Sequence, residues 1–314
     1  MNFISCKNIN SAITKDPESF VSRCENIYNN KIITAAEQIR LFADERPLVL
    51  IAGPSGSGKT TTAAKIGEIL REHEMGVINI SMDNYFLPCD CDDDIPLDEH
   101  GNVDYETPLR VDIPLFSSHL KKMFRGEEIT LPEFDFKTQM RHDGGTYKRK
   151  SSDIIIIEGI HALNPLVLGD SEDFTFGVYM SVQTEMISTD GTTLKSGMIR
   201  LMRRLCRDRI YRGRSVNEIW AMYKTVAAGE EKYIKPFRSR AEIDIDTFLP
   251  YEASVYKGLL MNDLSKAAGF HAGNKDFTAL VTILNEIHTL PDKFVPEFSL
   301  IHEFANLKGA NLKG

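Results

Sequence analysis

The chain has 314 residues, 42% hydrophobic and 26% charged, which is enough apolar material for a substantial buried core. A formal net charge of −8 excludes a general nucleic-acid binder, which needs a basic face. No apolar run approaches the roughly 18–20 residues that cross a bilayer, and MNFISCKNINSAITKDPESF lacks a signal-peptide core, so the cytoplasm is the expected location and no membrane partner is expected.

Five cysteines (Cys6, Cys24, Cys89, Cys91, Cys206) form no disulfide framework and read as reduced thiols. Cys89 and Cys91 fall in the acidic run CDCDDD, where C-x-C without a second Cys or His pair is a poor zinc signature; the run reads as a solvated loop. In residues 17–46, apolar positions at helical spacing (Phe20, Ile27, Ile32, Ile33, Ala36, Ile39, Leu41) predict two helices, part of an N-terminal extension over 1–46. Pro47 ends that pattern and opens a main domain over 47–290. Residues 48–52 read as a buried strand, and the helix after Gly58 places Ile66, Ile69 and Leu70 on one face. Further strands are predicted at 77–82, 153–157, 174–180 and 243–248. Runs as apolar as Ile154–Ile157 belong in a parallel sheet covered on both faces, so the fold is a doubly wound, mostly parallel α/β domain. Residues 84–150, long, polar and proline-punctuated, predict a substrate-covering region. Residues 291–314 form a tail whose end, ANLKGANLKG, repeats a short polar unit.

Gly53-Pro54-Ser55-Gly56-Ser57-Gly58-Lys59-Thr60 fills the pattern G-x-x-x-x-G-K-[ST] between a strand and a helix. Glycines let backbone N–H groups turn inward around phosphate oxygens, and the helix N-terminus adds partial positive charge. Lys59 can reach the β- and γ-phosphates of ATP, and the Thr60 hydroxyl can ligate Mg²⁺. The candidate nucleotide cradle is therefore Gly53, Ser55, Gly56, Ser57, Gly58, Lys59, Thr60 and Thr61.

Two strand ends supply carboxylates. Asp83 closes the 77–82 strand and is positioned to accept a proton from an acceptor hydroxyl; Glu158 follows the isoleucine run, where a metal-binding acid belongs. The candidate Mg²⁺ set is Thr60, Asp83 and Glu158. On a helix from about Lys195, Arg200, Arg204 and Arg207 fall within about a 60° arc, with Arg212 and Arg214 following in an Arg-Gly-Arg turn. Guanidiniums so grouped suit the charge of a transferring phosphoryl group. Arg203 and Arg209 point elsewhere on that wheel and read as structural.

GPSGSGKT (53–60), MDNYF (82–86), LPEFDFKTQMR (131–141), IIIIEGIHAL (154–163) and RLMRRLCRDRIYRGR (200–214), in this order, resemble the uridine kinase and phosphoribulokinase family of P-loop kinases. PLDEHGNVDYETP, GEEKYIKPF and VPEFSLIHEF are similar to a bacterial uridine kinase-like subgroup in which a TGS-type domain, related to threonyl-tRNA synthetase, often precedes the kinase; these 314 residues carry only the helical lead-in. The resemblance implies that Asp83 is the general base, with Lys59 and Arg204 and Arg207 catalytic. It also implies that Lys59, Thr60 and Glu158 serve ATP and Mg²⁺, that Arg204, Arg207, Arg212 and Arg214 form a lid over the phosphates, and that Asp104 grips ribose hydroxyls. The acceptor side departs from pyrimidine nucleoside kinases. Phe134 stands where they carry a tyrosine and Gln139 where they carry a histidine. Phe134, Phe136 and Tyr85 are candidates for a stacking wall, and Gln139 and Arg141 for polar contacts beside it.

The expected activity is transfer of the ATP γ-phosphate to the 5′-hydroxyl of a nucleoside, with uridine or cytidine foremost. Another hydroxyl metabolite on the same scaffold, or a non-catalytic nucleotide-binding regulator, are the alternatives. Asp83 separates the last, because a pure sensor has no use for a base beside the γ-phosphate. No N-K-x-D guanine motif or LSGGQ-like signature occurs. A small-molecule partner is expected, and a homo-oligomer is left open.

Overall fold

A computed structural model describes residues 2–88, 96–97, 101 and 104–307; the CDCDDD run with Cys89 and Cys91, and residues 308–314 of the terminal repeat, lie outside them. In chain order the elements are β1 (Asn2–Ser5), α1 (Cys6–Lys15), α2 (Pro17–Leu41), β2 (Leu48–Ala52), α3 (Lys59–Glu72), β3 (Gly76–Ser81), α4 (Ile113–Arg125), β4 (Glu128–Asp135), β5 (Met140–Lys148) and β6 (Asp153–Glu158). There follow α5 (Pro165–Leu168), β7 (Thr175–Ser181), β8 (Thr184–Ile187), β9 (Thr193–Leu194), α6 (Ser196–Arg212), α7 (Val216–Tyr233), β10 (Ile243–Asp246), α8 (Glu252–Ala267) and α9 (Lys275–Glu286).

The five anticipated strands form one parallel sheet in the order β10-β7-β2-β6-β3. Successive side chains point to opposite faces of a strand, and here both faces are buried. Val49, Ile51, Ile154, Ile156, Phe176 and Val178 enter one core; Leu48, Leu50, Ala52, Ile155, Ile157 and Tyr179 enter the other. The first is closed by helical residues including Ile9, Tyr28, Ile32, Ile39, Ile66 and Leu260, the second by Phe116, Leu120, Met123, Ile129 and Phe134. Because all five strands run the same way, Ala52, Ser81 and Glu158 end at one edge, with Ser81 paired to Glu158. That edge is where ligands bind in open α/β sheets.

The local structure differs from expectation at several points. Residues 17–46 make one helix of 25 residues rather than two: Asp16 caps it, and no proline or glycine interrupts it after Pro17. A separate helix, α1, precedes it. Asp83 lies beyond β3, in a 3₁₀ turn over Met82–Tyr85. Residues 84–150 contain α4 and the antiparallel β4–β5 hairpin, and β1, β8 and β9 form a second small sheet. Cys6, Cys24 and Cys206 are buried free thiols. Among the described residues no helix is long and apolar enough to cross a membrane.

Arg203 of α6 is fully buried. Its Nε donates to Glu252 at 2.7 Å, Nη2 to Glu252 at 2.9 Å and to the Thr247 carbonyl at 2.7 Å, and Nη1 to the Thr247 hydroxyl and the Gly56 carbonyl, each at 3.1 Å. With every donor satisfied the charge is tolerated, but removing one partner strands the other. Glu252→Ala is expected to lower unfolding free energy by about 3–5 kcal/mol, read by chemical denaturation; a loss near zero would contradict this role.

Candidate active site

The phosphate loop is held from its carbonyl side. Arg200 of α6 donates to the Ser55 carbonyl at 3.0 Å and, through two bonds of 2.6 Å, to Glu230 of α7; Arg203 takes the Gly56 carbonyl. Gly58 opens α3 in the left-handed region (φ 84°), and a Cβ there would sit 2.5 Å from Leu300. At Gly53 a Cβ would lie 2.0 Å from the Met180 carbonyl oxygen. Lys59 folds its ammonium onto the Gly53 and Pro54 carbonyls, at 2.8 and 3.3 Å. Ser57 Oγ is buried without a partner, and Thr60 is exposed at the helix start. The Thr61 amide donates to Glu303 at 3.1 Å, so a carboxylate from the C-terminal segment already lies at the α3 N-terminus, where the helix dipole favours negative charge.

Asp83 and Glu158 stand at the adjoining strand ends. Burial raises the pKa of both carboxyls. The positive charges of Lys59, Arg110, Arg212 and Arg207 oppose the rise at Asp83. At Glu158, Lys59 and a Ser81 hydrogen bond oppose it while the charge of Asp83 adds to it. Three of the sequence-predicted arginines are gathered by one buried carboxylate. Asp208 lies 3.1 Å from Arg207, 3.4 Å from Arg212 and 3.6 Å from Arg214. Sequence reasoning missed Asp208, although a lone acid inside RLCRDRIYRGR was a visible signal.

On the acceptor side Asp104 is buried; its Oδ2 accepts from the Tyr233 hydroxyl at 2.8 Å and its Oδ1 from the Glu106 amide at 3.1 Å. Arg204 is 5% exposed, with Nε unpartnered. Lys59 is a charged neighbour of Asp83, Glu158, Glu106 and the buried His161, which joins the loop, the strand ends and the acceptor side in one cleft. Glu106, His161 and Tyr233 lie inside PLDEHGNVDYETP, IIIIEGIHAL and GEEKYIKPF, and Arg110 just beyond the first, yet none of the four is given a role by the sequence alone.

Several candidates sit differently from expectation. Tyr85 is not part of a wall: it is fully buried, its hydroxyl hydrogen-bonded to His119 Nδ1 at 3.0 Å and its ring edge-on to Phe116. Phe134 is also buried, edge-on to Phe86, while Phe136 is 57% exposed. Gln139 occupies the turn between β4 and β5 with φ 56°, and its side-chain amide donates to the Phe136 carbonyl at 2.8 Å. Arg141 pairs with Asp112 at 2.8 Å. Arg200, on the same helical arc as Arg204 and Arg207, is committed to Glu230 and the loop instead.

The family model described as Phosphoribulokinase / Uridine kinase family matches residues 48–250, the span that contains the loop, both carboxylate-bearing strand ends and the arginine helix. The chain belongs to this family. It is 34% identical over 201 residues to a protein named uridine kinase from Lactobacillus helveticus, covering 63% of this chain and 86% of that one. A uridine kinase of Halobacterium salinarum is 29% identical over 196 residues (62% and 77%), and one of Staphylococcus aureus 30% identical over 199 residues (63% and 86%). The chain is thus a P-loop phosphotransferase. Because, among the described residues, the Lys59 ammonium hydrogen-bonds only to loop carbonyls, Lys59→Ala is expected to abolish phosphoryl transfer while circular dichroism stays that of the native fold. Near-normal turnover with any acceptor would contradict the loop assignment.

Proposed function

We propose that the protein transfers the ATP γ-phosphate to the 5′-hydroxyl of a nucleoside, with uridine and cytidine foremost. The observation that carries this reading is Asp83: a desolvated carboxylate beside the phosphate loop, faced by Lys59, Arg110, Arg207 and Arg212. Burial raises its pKa and the four cations oppose that rise; they favour the ionised form, in which a carboxylate accepts a proton. An acceptor hydroxyl placed between Asp83 and the loop gives its proton to the carboxylate as its oxygen attacks. Lys59 moves from the loop carbonyls to the phosphates, and Arg204, Arg207, Arg212 and Arg214 offset the charge on the transferring group.

Gly53, Ser55, Gly56, Ser57, Gly58, Thr60 and Thr61 make the ATP cradle. The orphaned Ser57 hydroxyl and the α3 N-terminus fit a phosphate chain, and phosphate at the Thr61 amide requires Glu303 to release it. Thr60 and Glu158, with Asp83 alongside, would hold Mg²⁺. Among the described residues no three His, Cys, Asp or Glu groups converge as a metal cage, which fits an ion that takes one or two protein oxygens and completes its shell with phosphate and water. When bound, that ion neutralises phosphate charge.

Asp104 anchors the ribose by its vicinal hydroxyls. The relatives named uridine kinase support a pyrimidine nucleoside, whereas the base-facing groups are poor in polar contacts. Phe134 has no hydroxyl, and the Gln139 amide is taken by the hairpin turn. This favours, as a second reading, a broader set of ribosides, with uridine and cytidine weakly discriminated.

Asp83→Asn is expected to lower kcat by roughly 10²–10⁴ with ATP affinity little changed; an unchanged kcat would turn the reading towards a nucleotide-binding regulator. Comparing kcat/KM for uridine, cytidine, inosine and deoxyuridine tests the acceptor. Ribonucleosides should exceed deoxyuridine clearly, and equal efficiencies, or activity on non-nucleoside acceptors alone, would overturn the nucleoside reading.

A further inference from the structure

We propose that Glu106 is an acceptor-binding residue which, with Asp104 and Arg204, forms a subsite for an uncharged vicinal diol and disfavours an acceptor that already carries a phosphate. The inference rests on the kinase reading above and deepens it by naming what holds the acceptor and what it excludes.

Glu106 follows Asp104 by two residues and is 9% exposed, with Oε2 sealed from solvent and unpartnered. Buried polar atoms without partners are rare in folded proteins, and such an atom in a cleft calls for a ligand. Among the described residues Glu106 has no hydrogen-bond partner for its Oε2. Gly229 of α7 packs against it so closely that a Cβ there would lie 2.4 Å from Glu106 Cβ. The neighbouring Glu230 is negative, and both Nη groups of Arg200 are engaged by Glu230, one of them also by the Ser55 carbonyl. His161 faces the backbone carbonyls of Glu106 and Tyr233 without closing a hydrogen bond to any protein group. Burial pushes its pKa down to about 4, so it is neutral and brings no charge to Glu106. Of the two nearby cations, Arg204 has a buried, unpartnered donor in its Nε, whereas Lys59 donates to the Gly53 and Pro54 carbonyls.

The charged groups that face Glu106 are thus Glu230 and Asp104, which raise its pKa, and Arg204 and Lys59, which lower it. Burial is the largest influence, and together they push it up to about 7. In its acid form Glu106 donates through O–H and accepts through C=O, Asp104 accepts, and Arg204 donates. Two adjacent hydroxyls, each able to donate and accept, complete that set. A phosphate in the same place meets the carboxylate of Asp104, and that of Glu106 once it ionises, and like charge repels it.

The test is calorimetric titration of uridine and of ribulose 5-phosphate into the full chain holding a non-hydrolysable ATP analogue, with phosphoryl transfer measured in parallel. Wild type should bind uridine and bind the sugar phosphate far more weakly. Glu106→Ala should weaken uridine binding roughly 10-fold to 100-fold with analogue affinity unchanged, while Glu106→Gln, which keeps a donor and an acceptor, stays near wild type. Wild-type uridine affinity should fall as pH rises through about 7 and Glu106 ionises, and Glu106→Gln should flatten that limb. Uridine binding that Glu106→Ala leaves intact, equal loss in both variants, a pH limb that persists in Glu106→Gln, preference for the sugar phosphate, or no uridine binding by wild type would each overturn the proposal. Glu106-dependent binding without phosphoryl transfer would instead defeat the kinase reading and leave the subsite standing.

Discussion

Two guanidiniums on one helix hold the carbonyl side of the phosphate loop, and the site is arranged around that hold. Arg200 takes the Ser55 carbonyl and Arg203 the Gly56 carbonyl. Those carbonyls are thereby engaged by α6, while within the loop the Ser57 amide donates to the Pro54 carbonyl at 3.2 Å. Each guanidinium is balanced by a carboxylate on a different helix, Glu230 on α7 and Glu252 on α8. The loop is therefore tied to three helices at once, and through Thr247 to the end of β10. Buried charges are tolerable only when every donor and acceptor is met, and here the bonds that meet them also shape the loop.

Around this frame the charges are divided by function. Asp208 gathers Arg207, Arg212 and Arg214, so that like charges can share a small space beside Asp83. Glu303 neutralises the α3 N-terminus from the opposite end of the chain. Lys59 stands among Asp83, Glu158 and Glu106 and stabilises the ionised form of each against burial. On the acceptor side the cations that oppose the burial of Glu106 are Arg204 and Lys59.

Much of this was legible in the sequence where the chemistry requires residues at fixed offsets. The loop from Gly53 to Thr60 is one contiguous motif, and the five sheet strands are short apolar runs whose burial on both faces leaves little ambiguity. What the sequence could not display depends on partners distant along the chain. A helical wheel places Arg200, Arg204 and Arg207 together, yet Glu230 captures Arg200 from another helix and thereby separates its task from theirs. Position in a block reads Tyr85 as part of a stacking wall and Gln139 as a polar contact beside it. The first is drawn into the core by Phe116 and His119, and the second is fixed by a left-handed turn. Glu106 and His161 become prominent only when burial leaves their polar atoms without protein partners, and that is a property of the fold alone.

The Arg203–Glu252 pair shapes the loop as well as joining two helices. Replacing both residues with methionine removes the pair without stranding a charge, and such replacements are often neutral in stability. The decisive measurement is ATP affinity of Arg203→Met/Glu252→Met, by calorimetry, beside its thermal unfolding. The expected result is a folded protein whose ATP affinity is at least about 10-fold weaker, the worth of one charge-assisted hydrogen bond to the Gly56 carbonyl. A folded double variant that binds ATP as tightly as wild type would contradict it.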